Sequence, residues 1–143
     1  MPKVKDLMTT DVVTITADQT LRQAIEKMTS GNFRRIPVME GDSVVGIITD
    51  RDIRRALNSP VVFHERSADE YLLNAVTVGS SMTPRPLTVG PETSIIRVAE
   101  LMEQLKIGGL PVVDGSRLVG IITVSDLITF LVCLLGSQSG SRK

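Results

Sequence analysis

The sequence contains few of the side chains that carry most enzyme chemistry and metal binding. Its 143 residues include one cysteine, Cys133, and one histidine, His64. One cysteine excludes an intramolecular disulfide and a multi-cysteine metal site, and one histidine excludes a site built from histidines alone. The sequence has no Gly-x-x-x-x-Gly-Lys phosphate loop, and we expect no Ser-His-Asp set to assemble around His64. We therefore expect neither an enzyme nor a metal site.

Aromatic residues, net charge and long apolar runs are also scarce. Aromatic residues make up 3% of the chain, and 16 basic residues balance 16 acidic ones. Without a basic field or a stacking platform, nucleic acid is not an expected partner. The longest apolar run, residues 127–135, is about half the length that spans a bilayer. With no apolar signal core at the N-terminus, we expect a cytoplasmic protein without a membrane partner.

The first part of the chain alternates between strand and helix patterns. Residues 13–15 have strand character, and a helix follows from Thr20, which has capping-box spacing to Gln23, to Gly31. Residues 36–39 and 44–48 flank a Gly-Asp turn signal and therefore predict an antiparallel hairpin. A second helical pattern follows from Asp50 to about Leu57. The predicted unit is β-α-β-β-α.

This unit occurs twice. Residues 4–57 align without a gap with 78–131, which is strong support for a duplication. The phrase Gly-Ile-Ile-Thr at residues 46–49, followed by Asp52, returns at 120–123, followed by Asp126. One unit has too few elements to bury a core of its own. We therefore predict an α/β (α+β) fold in which two repeats pack about a pseudo-twofold axis.

The alignment divides the chain into four parts. They are repeat 1 (1–57), a connector with a short helix capped by Ser67 (58–77), repeat 2 (78–135) and a flexible tail (136–143). Residues 128–135 are apolar on almost every face, and such a helix is normally buried all round. We therefore predict that a second copy of the chain covers it, giving a homodimer.

Thr49 and Asp52 have two interpretations. A threonine at the junction of strand and helix, beside free backbone N–H groups, suits a phosphate. A carboxylate one turn later suits a pair of vicinal hydroxyls. The same Thr-x-x-Asp spacing is also that of an ordinary capping box, which spacing alone favours.

A tandem β-α-β-β-α duplication that ends each time in Gly-apolar-Ile-Thr-x-x-Asp resembles the CBS domain pair, also called a Bateman module. The resemblance covers roughly residues 4–57 and 78–135. The chain is similar to stand-alone CBS pairs of the acetoin-utilisation type. Its other supporting motifs are Met8-Thr9, Met82-Thr83, Ile36-Pro37-Val38 and Leu110-Pro111-Val112.

The resemblance implies a non-enzymatic regulatory module that acts on another protein. The family binds adenosine-containing ligands (AMP, ADP, ATP or S-adenosylmethionine) in clefts between repeats, the threonine contacting phosphate and the aspartate the ribose hydroxyls. In repeat 1 the implied ligand-binding residues are Thr14, Ile15, Arg34, Arg35, Ile36, Pro37, Thr49, Arg51 and Asp52. In repeat 2 the implied weaker set is Val89, Gly109, Leu110, Pro111, Thr123 and Asp126.

The two repeats differ in charge at equivalent positions. Repeat 1 has five arginines around its middle strand and closing helix, and repeat 2 has none at the matching positions. These arginines are Arg34, Arg35, Arg51, Arg54 and Arg55. Because guanidinium groups match phosphate geometry, we predict that repeat 1 holds the phosphate, although exposed arginines are more often merely solvated. The alternative function is a structural dimerisation module with vestigial sites.

Overall fold

The computed structural model describes residues 1–57 and 66–140 of the chain. The strands are β1 (Ile15–Thr16), β2 (Arg35–Glu40), β3 (Ser43–Thr49), β4 (Thr83–Pro84), β5 (Gly109–Asp114) and β6 (Arg117–Thr123). The helices are α1 (Val4–Leu7), α2 (Leu21–Gly31), α3 (Asp50–Leu57), α4 (Arg66–Ala75), α5 (Val78–Ser81), α6 (Ile95–Leu105) and α7 (Val124–Gly140). Among these, no helix combines the length and apolar character needed to cross a bilayer.

The chain forms two compact units. We call Val13–Pro86 the repeat-1 lobe, and Met1–Val12 together with the chain from Leu87 onward the repeat-2 lobe. These lobes differ from the sequence repeats at one place. Two segments at equivalent positions, residues 2–12 at the start of repeat 1 and residues 76–86 across the start of repeat 2, each lie in the lobe built mainly from the other repeat. We call each of them the opening segment of its repeat.

The repeat-1 lobe contains a four-stranded sheet in the order β1-β2-β3-β4. Strands β1 and β2 are parallel, whereas β2–β3 and β3–β4 are antiparallel. The predicted hairpin is confirmed, and Gly41 in its turn has a φ of 59°, which favours glycine. The core lies between the sheet and its helices and contains Leu21, Ile36, Ile48 and Val78.

The repeat-2 lobe has the same plan with fewer strand residues. Strands β5 and β6 form an antiparallel hairpin. The predicted first strand of repeat 2 is reduced to one parallel bridge between Val89 and Val112, and one antiparallel bridge joins Thr9 to Ile121. The mixed α/β architecture predicted from the duplication is thus confirmed in both lobes.

The opening segments dock through equivalent backbone bonds. The Val4 amide donates to the Thr93 carbonyl at 2.9 Å, and the Val78 amide donates to the Gln19 carbonyl at 2.7 Å. Both valines are fully buried. The donors and the acceptors are each separated by the 74 residues that separate the repeats. Each opening segment therefore fills a site in the core of the other repeat.

Close packing of the opening segments explains two glycines. A side chain at Gly46 would overlap the Met82 side chain, and one at Gly120 would overlap that of Met8. Gly120 is the more constrained position, because an added Cβ would also lie 3.0 Å from the backbone oxygen of Thr9. The glycine of each closing phrase therefore allows the methionine of the other repeat to pack on the strand.

Local predictions fare well where the chain is described. Thr20 and Gln23 form the predicted reciprocal capping box of α2. The connector helix is present as α4, but the cap at Ser67 lies outside the described side chains, and residues 58–65 with His64 lie outside the described residues. The last helix continues to Gly140, through five residues assigned to the tail from sequence.

Candidate functional site

The sheet of the repeat-1 lobe has one face turned to the helices and one turned away. Ile36, Val38 and Ile48 belong to the core shared with α2. Because side chains alternate along a strand, Arg35 and Thr49 lie on the opposite face. They are register partners across β2 and β3 and therefore neighbours on that face. The structure thus brings the second arginine of the pair beside the threonine of the closing phrase.

Thr49 and Asp52 form a reciprocal capping box at the start of α3. The Thr49 amide donates to Asp52 Oδ2 at 3.0 Å, and the Asp52 amide donates to Thr49 Oγ1 at 3.1 Å. Asp52 is only 5% exposed. The capping interpretation is therefore confirmed. It leaves Asp52 Oδ1 outside the box, so a cap and a ligand contact are compatible at this carboxylate.

Asp52 has a second partner that the sequence analysis missed. The Thr83 hydroxyl lies 3.3 Å from Oδ1 and 3.5 Å from Oδ2 of Asp52. Thr83 belongs to the opening segment of repeat 2. The recurrence of threonine in the two Met-Thr pairs was the available signal, because a polar residue in a repeated motif needs a reason other than core packing.

The arginines of repeat 1 have different surroundings. Arg35 is half-buried, and its burial lowers the pKa of the guanidinium, with Asp50 acting in the opposite direction. Arg34 is exposed and, with Arg54, lines a groove of about 460 Å³ between α2 and α3. Arg54 is paired with Asp50 at 2.9 Å. Of the two predicted phosphate ligands beside β2, Arg35 is therefore the one that shares a face with Thr49.

Arg51 and Arg55 are exposed on α3. Arg51 directly precedes Asp52 in the first turn of that helix. It contributes positive charge close to the capping box without burial. The first turn also contains Asp50 and Asp52, and Arg54 and Arg55 lie in the last turn, so the start of α3 as a whole is not cationic.

Other predicted repeat-1 residues lie deeper. Ile15 and Ile36 are in the core, and Pro37 is fully buried, so almost no surface of these three predicted ligand-binding residues is exposed. Thr14 is half-buried, and its carbonyl oxygen accepts a hydrogen bond from Lys27 Nζ at 2.7 Å. Lys27 is a further cation near the site, and Leu101 occupies its position in repeat 2.

The equivalent region of repeat 2 has the same scaffold without cations. Gly109 is the register partner of Thr123, and the Thr123 amide donates to Asp126 Oδ2 at 2.8 Å. The Thr9 hydroxyl lies 3.4 Å from Asp126 Oδ1, as Thr83 does beside Asp52. Leu110 and Val89 are in the core. Pro111 is buried.

The site is made of hydroxyl, carboxylate and guanidinium groups. Within residues 1–57 and 66–140 no group of three or more metal-ligating side chains comes together. A hydroxyl at a helix start, an adjacent guanidinium and a buried carboxylate together suit a ligand with both an anionic group and hydroxyl groups.

Comparison with known proteins identifies the family. The sequence profile of the CBS domain matches residues 4–59 and 76–133, so this chain belongs to the CBS domain family and contains two such domains. A CBS domain-containing protein of Dictyostelium discoideum is 37% identical over 134 residues, which cover 92% of each chain.

Solved structures show the same fold over nearly the whole chain. A Vibrio cholerae protein assigned to acetoin utilization, AcuB, has a TM-score of 0.80 and 32% identity, covering 98% of this chain and 97% of its own. The CBS domain pair of protein MJ0100, solved with 5′-methylthioadenosine and S-adenosyl-L-methionine, has a TM-score of 0.77 and 28% identity, covering 96% of this chain and 98% of its own. The predicted resemblance to stand-alone CBS pairs is confirmed.

Proposed function

We propose that this protein is a non-enzymatic regulatory module that binds an adenosine-containing ligand, with the ligand phosphate held mainly by repeat-1 residues. The regulated target is a separate protein. AMP, ADP, ATP and S-adenosylmethionine are the candidate ligands. The ligand acts by stabilising the arrangement of the module that binds it best, which shifts the population of states.

The observation that carries the proposal is the pairing of Arg35 with Thr49 in register. Burial lowers the pKa of Arg35 because the charged form loses hydration. An arginine nevertheless keeps its charge at neutral pH. A phosphate beside Thr49 would restore favourable interactions to this half-buried cation. Asp52 then lies within one helical turn to accept the ribose hydroxyls.

The relatives support the ligand class. The MJ0100 CBS pair was solved with two adenosine compounds, and it resembles this chain over nearly its full length. The residues of this chain refine that analogy, because only its first repeat carries guanidinium groups at the site. We therefore assign a phosphate-bearing adenosine ligand to repeat 1, and a weakly bound or uncharged nucleoside to repeat 2.

Calorimetric titration with AMP and with S-adenosylmethionine tests the proposal. We expect Arg34→Ala combined with Arg35→Ala to weaken AMP binding at least tenfold, because hydrogen bonds from charged groups are worth about 1.5–3 kcal/mol. Arg35→Ala alone should account for most of this loss. The matched control is Asp126→Ala at the repeat-2 site, which should retain most of the binding. Equal losses from the arginine and Asp126 variants would contradict the assignment to repeat 1.

We also propose that the module is a homodimer formed through α7. Ile128, Leu131, Val132 and Leu135 are each at least half exposed on this helix. The chain carries no charged residue from 127 to 140. A second copy of the same uncharged helix therefore meets no like charge and offers matching apolar surface.

In the repeat-1 lobe, a helix of the same chain covers the helices that are equivalent to the exposed ones of repeat 2. Helix α4 packs on α2 and α3 there, and Arg22 of α2 donates to Asn74 of α4 at 2.7 Å. The position equivalent to Arg22 in repeat 2 is Ile96, which is 51% exposed. The helices of repeat 2 thus carry an apolar surface where those of repeat 1 carry a polar contact to a covering helix.

Sedimentation velocity tests the dimer. We expect the unmodified protein to sediment as a dimer at micromolar concentration, and Leu131→Glu with Val132→Glu to sediment as a monomer. Tyr71→Glu, at an exposed aromatic residue of α4, is the control and should leave the dimer intact. A monomeric unmodified protein would remove this proposal. A dimer that binds neither AMP nor S-adenosylmethionine would instead favour a purely structural dimerisation module.

A further inference from the structure

The contact between Thr83 and Asp52 is unlike the rest of the site, because the threonine comes from the other repeat. Asp52 Oδ2 accepts the capping bond from the Thr49 amide at 3.0 Å. The Thr83 hydroxyl approaches Oδ1 at 3.3 Å. A carboxylate offers about four acceptor positions. The Thr83 bond therefore orients the carboxylate while leaving capacity on Oδ1 for a ligand hydroxyl.

Thr83 is positioned firmly by the backbone. It is the register partner of Ile47 on the edge of the sheet, and the Arg85 amide donates to the Val45 carbonyl at 3.1 Å. Its side chain is exposed, whereas Asp52 is buried. The hydroxyl is thus a solvent-accessible donor fixed beside a buried carboxylate.

The repeat-2 lobe contains the reciprocal contact. The Thr9 hydroxyl lies 3.4 Å from Asp126 Oδ1. Thr9 and Ile121 exchange both backbone hydrogen bonds, each at 2.9 Å. Thr9 lies five residues before Thr14 of the repeat-1 set, and Thr83 lies six residues before Val89 of the repeat-2 set. Each aspartate is therefore contacted by the segment that leads directly into the other site.

From this reciprocal arrangement we infer that Thr83 and Thr9 are positioning residues for the two sites, each holding the aspartate of one repeat from the opening segment of the other. The inference rests on the proposed binding of an adenosine ligand at Asp52. It makes the ligand site of repeat 1 a product of both repeats.

The test compares Thr83→Val, Thr83→Ser and Thr9→Val by titration with AMP and with S-adenosylmethionine. Valine keeps the shape of threonine and removes the donor, so Thr83→Val should weaken binding at the repeat-1 site by about two- to tenfold, the range for one lost hydrogen bond. Thr83→Ser restores the hydroxyl and should return the affinity to within about twofold of the original. Thr9→Val is the matched control and should leave the repeat-1 affinity unchanged.

Three results would overturn the inference, and they differ from failure of the proposed function. Unchanged affinity in Thr83→Val, equal losses in Thr83→Val and Thr9→Val, or no recovery in Thr83→Ser would each remove the positioning role while ligand binding stands. Absence of binding by the unmodified protein would remove the proposed function itself, and this inference with it. Thermal unfolding of each free variant checks folding. If Thr83→Val lowers the Tm by no more than Thr9→Val does, yet binds AMP more weakly than Thr83→Ser, the result supports the inference.

Discussion

The two lobes have the same backbone arrangement and differ in the positions of their charged side chains. The bonds that dock the opening segments recur at the same spacing, as Val4 and Val78 show. The repeat-1 lobe places a half-buried guanidinium beside its closing threonine, where the repeat-2 lobe has Gly109. The comparison shows that this fold does not require charge at the site. The half-buried Arg35 is therefore not a requirement of the backbone, and the proposed binding of a phosphate is our explanation for it.

The repeat-2 lobe instead concentrates charge where the opening segment of repeat 1 docks. Lys3 and Lys5 both donate to Glu92, at 2.7 and 2.8 Å. The equivalent positions in the other opening segment are Thr77 and Gly79. The same backbone docking is thus supported by ion pairs in one lobe and by none at the matching positions in the other.

The largest effect expected from this comparison concerns the two opening-segment valines. Val4 and Val78 are fully buried in their respective lobes. Val4→Ala and Val78→Ala should each lower the free energy of unfolding by about 2 kcal/mol, through lost burial and an unfilled cavity. Denaturant unfolding measures both. Val13→Ala, at a partly exposed position, is the control and should change little.

Similar losses in the two variants would support equivalent docking of the opening segments. A loss of stability confined to one variant would show that only one of the two docked opening segments contributes to stability. The two lobes would then not be equivalent in this respect.

A smaller effect is expected at Glu92, where hydrogen bonds from Lys3 and Lys5 lower the pKa of the carboxyl to about 2. The ion pairs therefore stabilise the fold above a pH of about 4.5, which is the ordinary pKa of a glutamate side chain. This contribution is lost as the pH falls toward about 2. Glu92→Gln should lower the Tm slightly at neutral pH, because exposed ion pairs contribute little. The difference in Tm between Glu92→Gln and the unmodified protein should disappear as the pH falls through that acid range.

Asp18→Asn provides the matched control, because Asp18 occupies the position of Glu92 in the repeat-1 lobe. It accepts a hydrogen bond from the Thr16 hydroxyl and takes part in no ion pair with the opening segment among the described residues. A Glu92→Gln difference that persists unchanged through the acid range would show that the ion pairs are not its cause.

Much of the fold was predictable because it depends on local patterns. The capping boxes at Thr20 and Thr49, the glycine turn at Gly41 and the second helix from Asp50 each follow from short-range rules. The charge difference between repeats was also visible, since it needs only an alignment. The different placement of Arg34 and Arg35 could not be predicted from sequence, because it depends on which face of the sheet each side chain occupies.

By itself, the sequence determined that the chain is a duplication, which elements each copy contains and which copy carries the cations. Only the tertiary structure decided which lobe each opening segment completes. Residues 2–12 and 76–86 dock through equivalent backbone bonds, so the backbone pattern of a segment does not by itself say which lobe it completes. The path of the whole chain makes that choice, and it places Thr83 beside Asp52 and Thr9 beside Asp126.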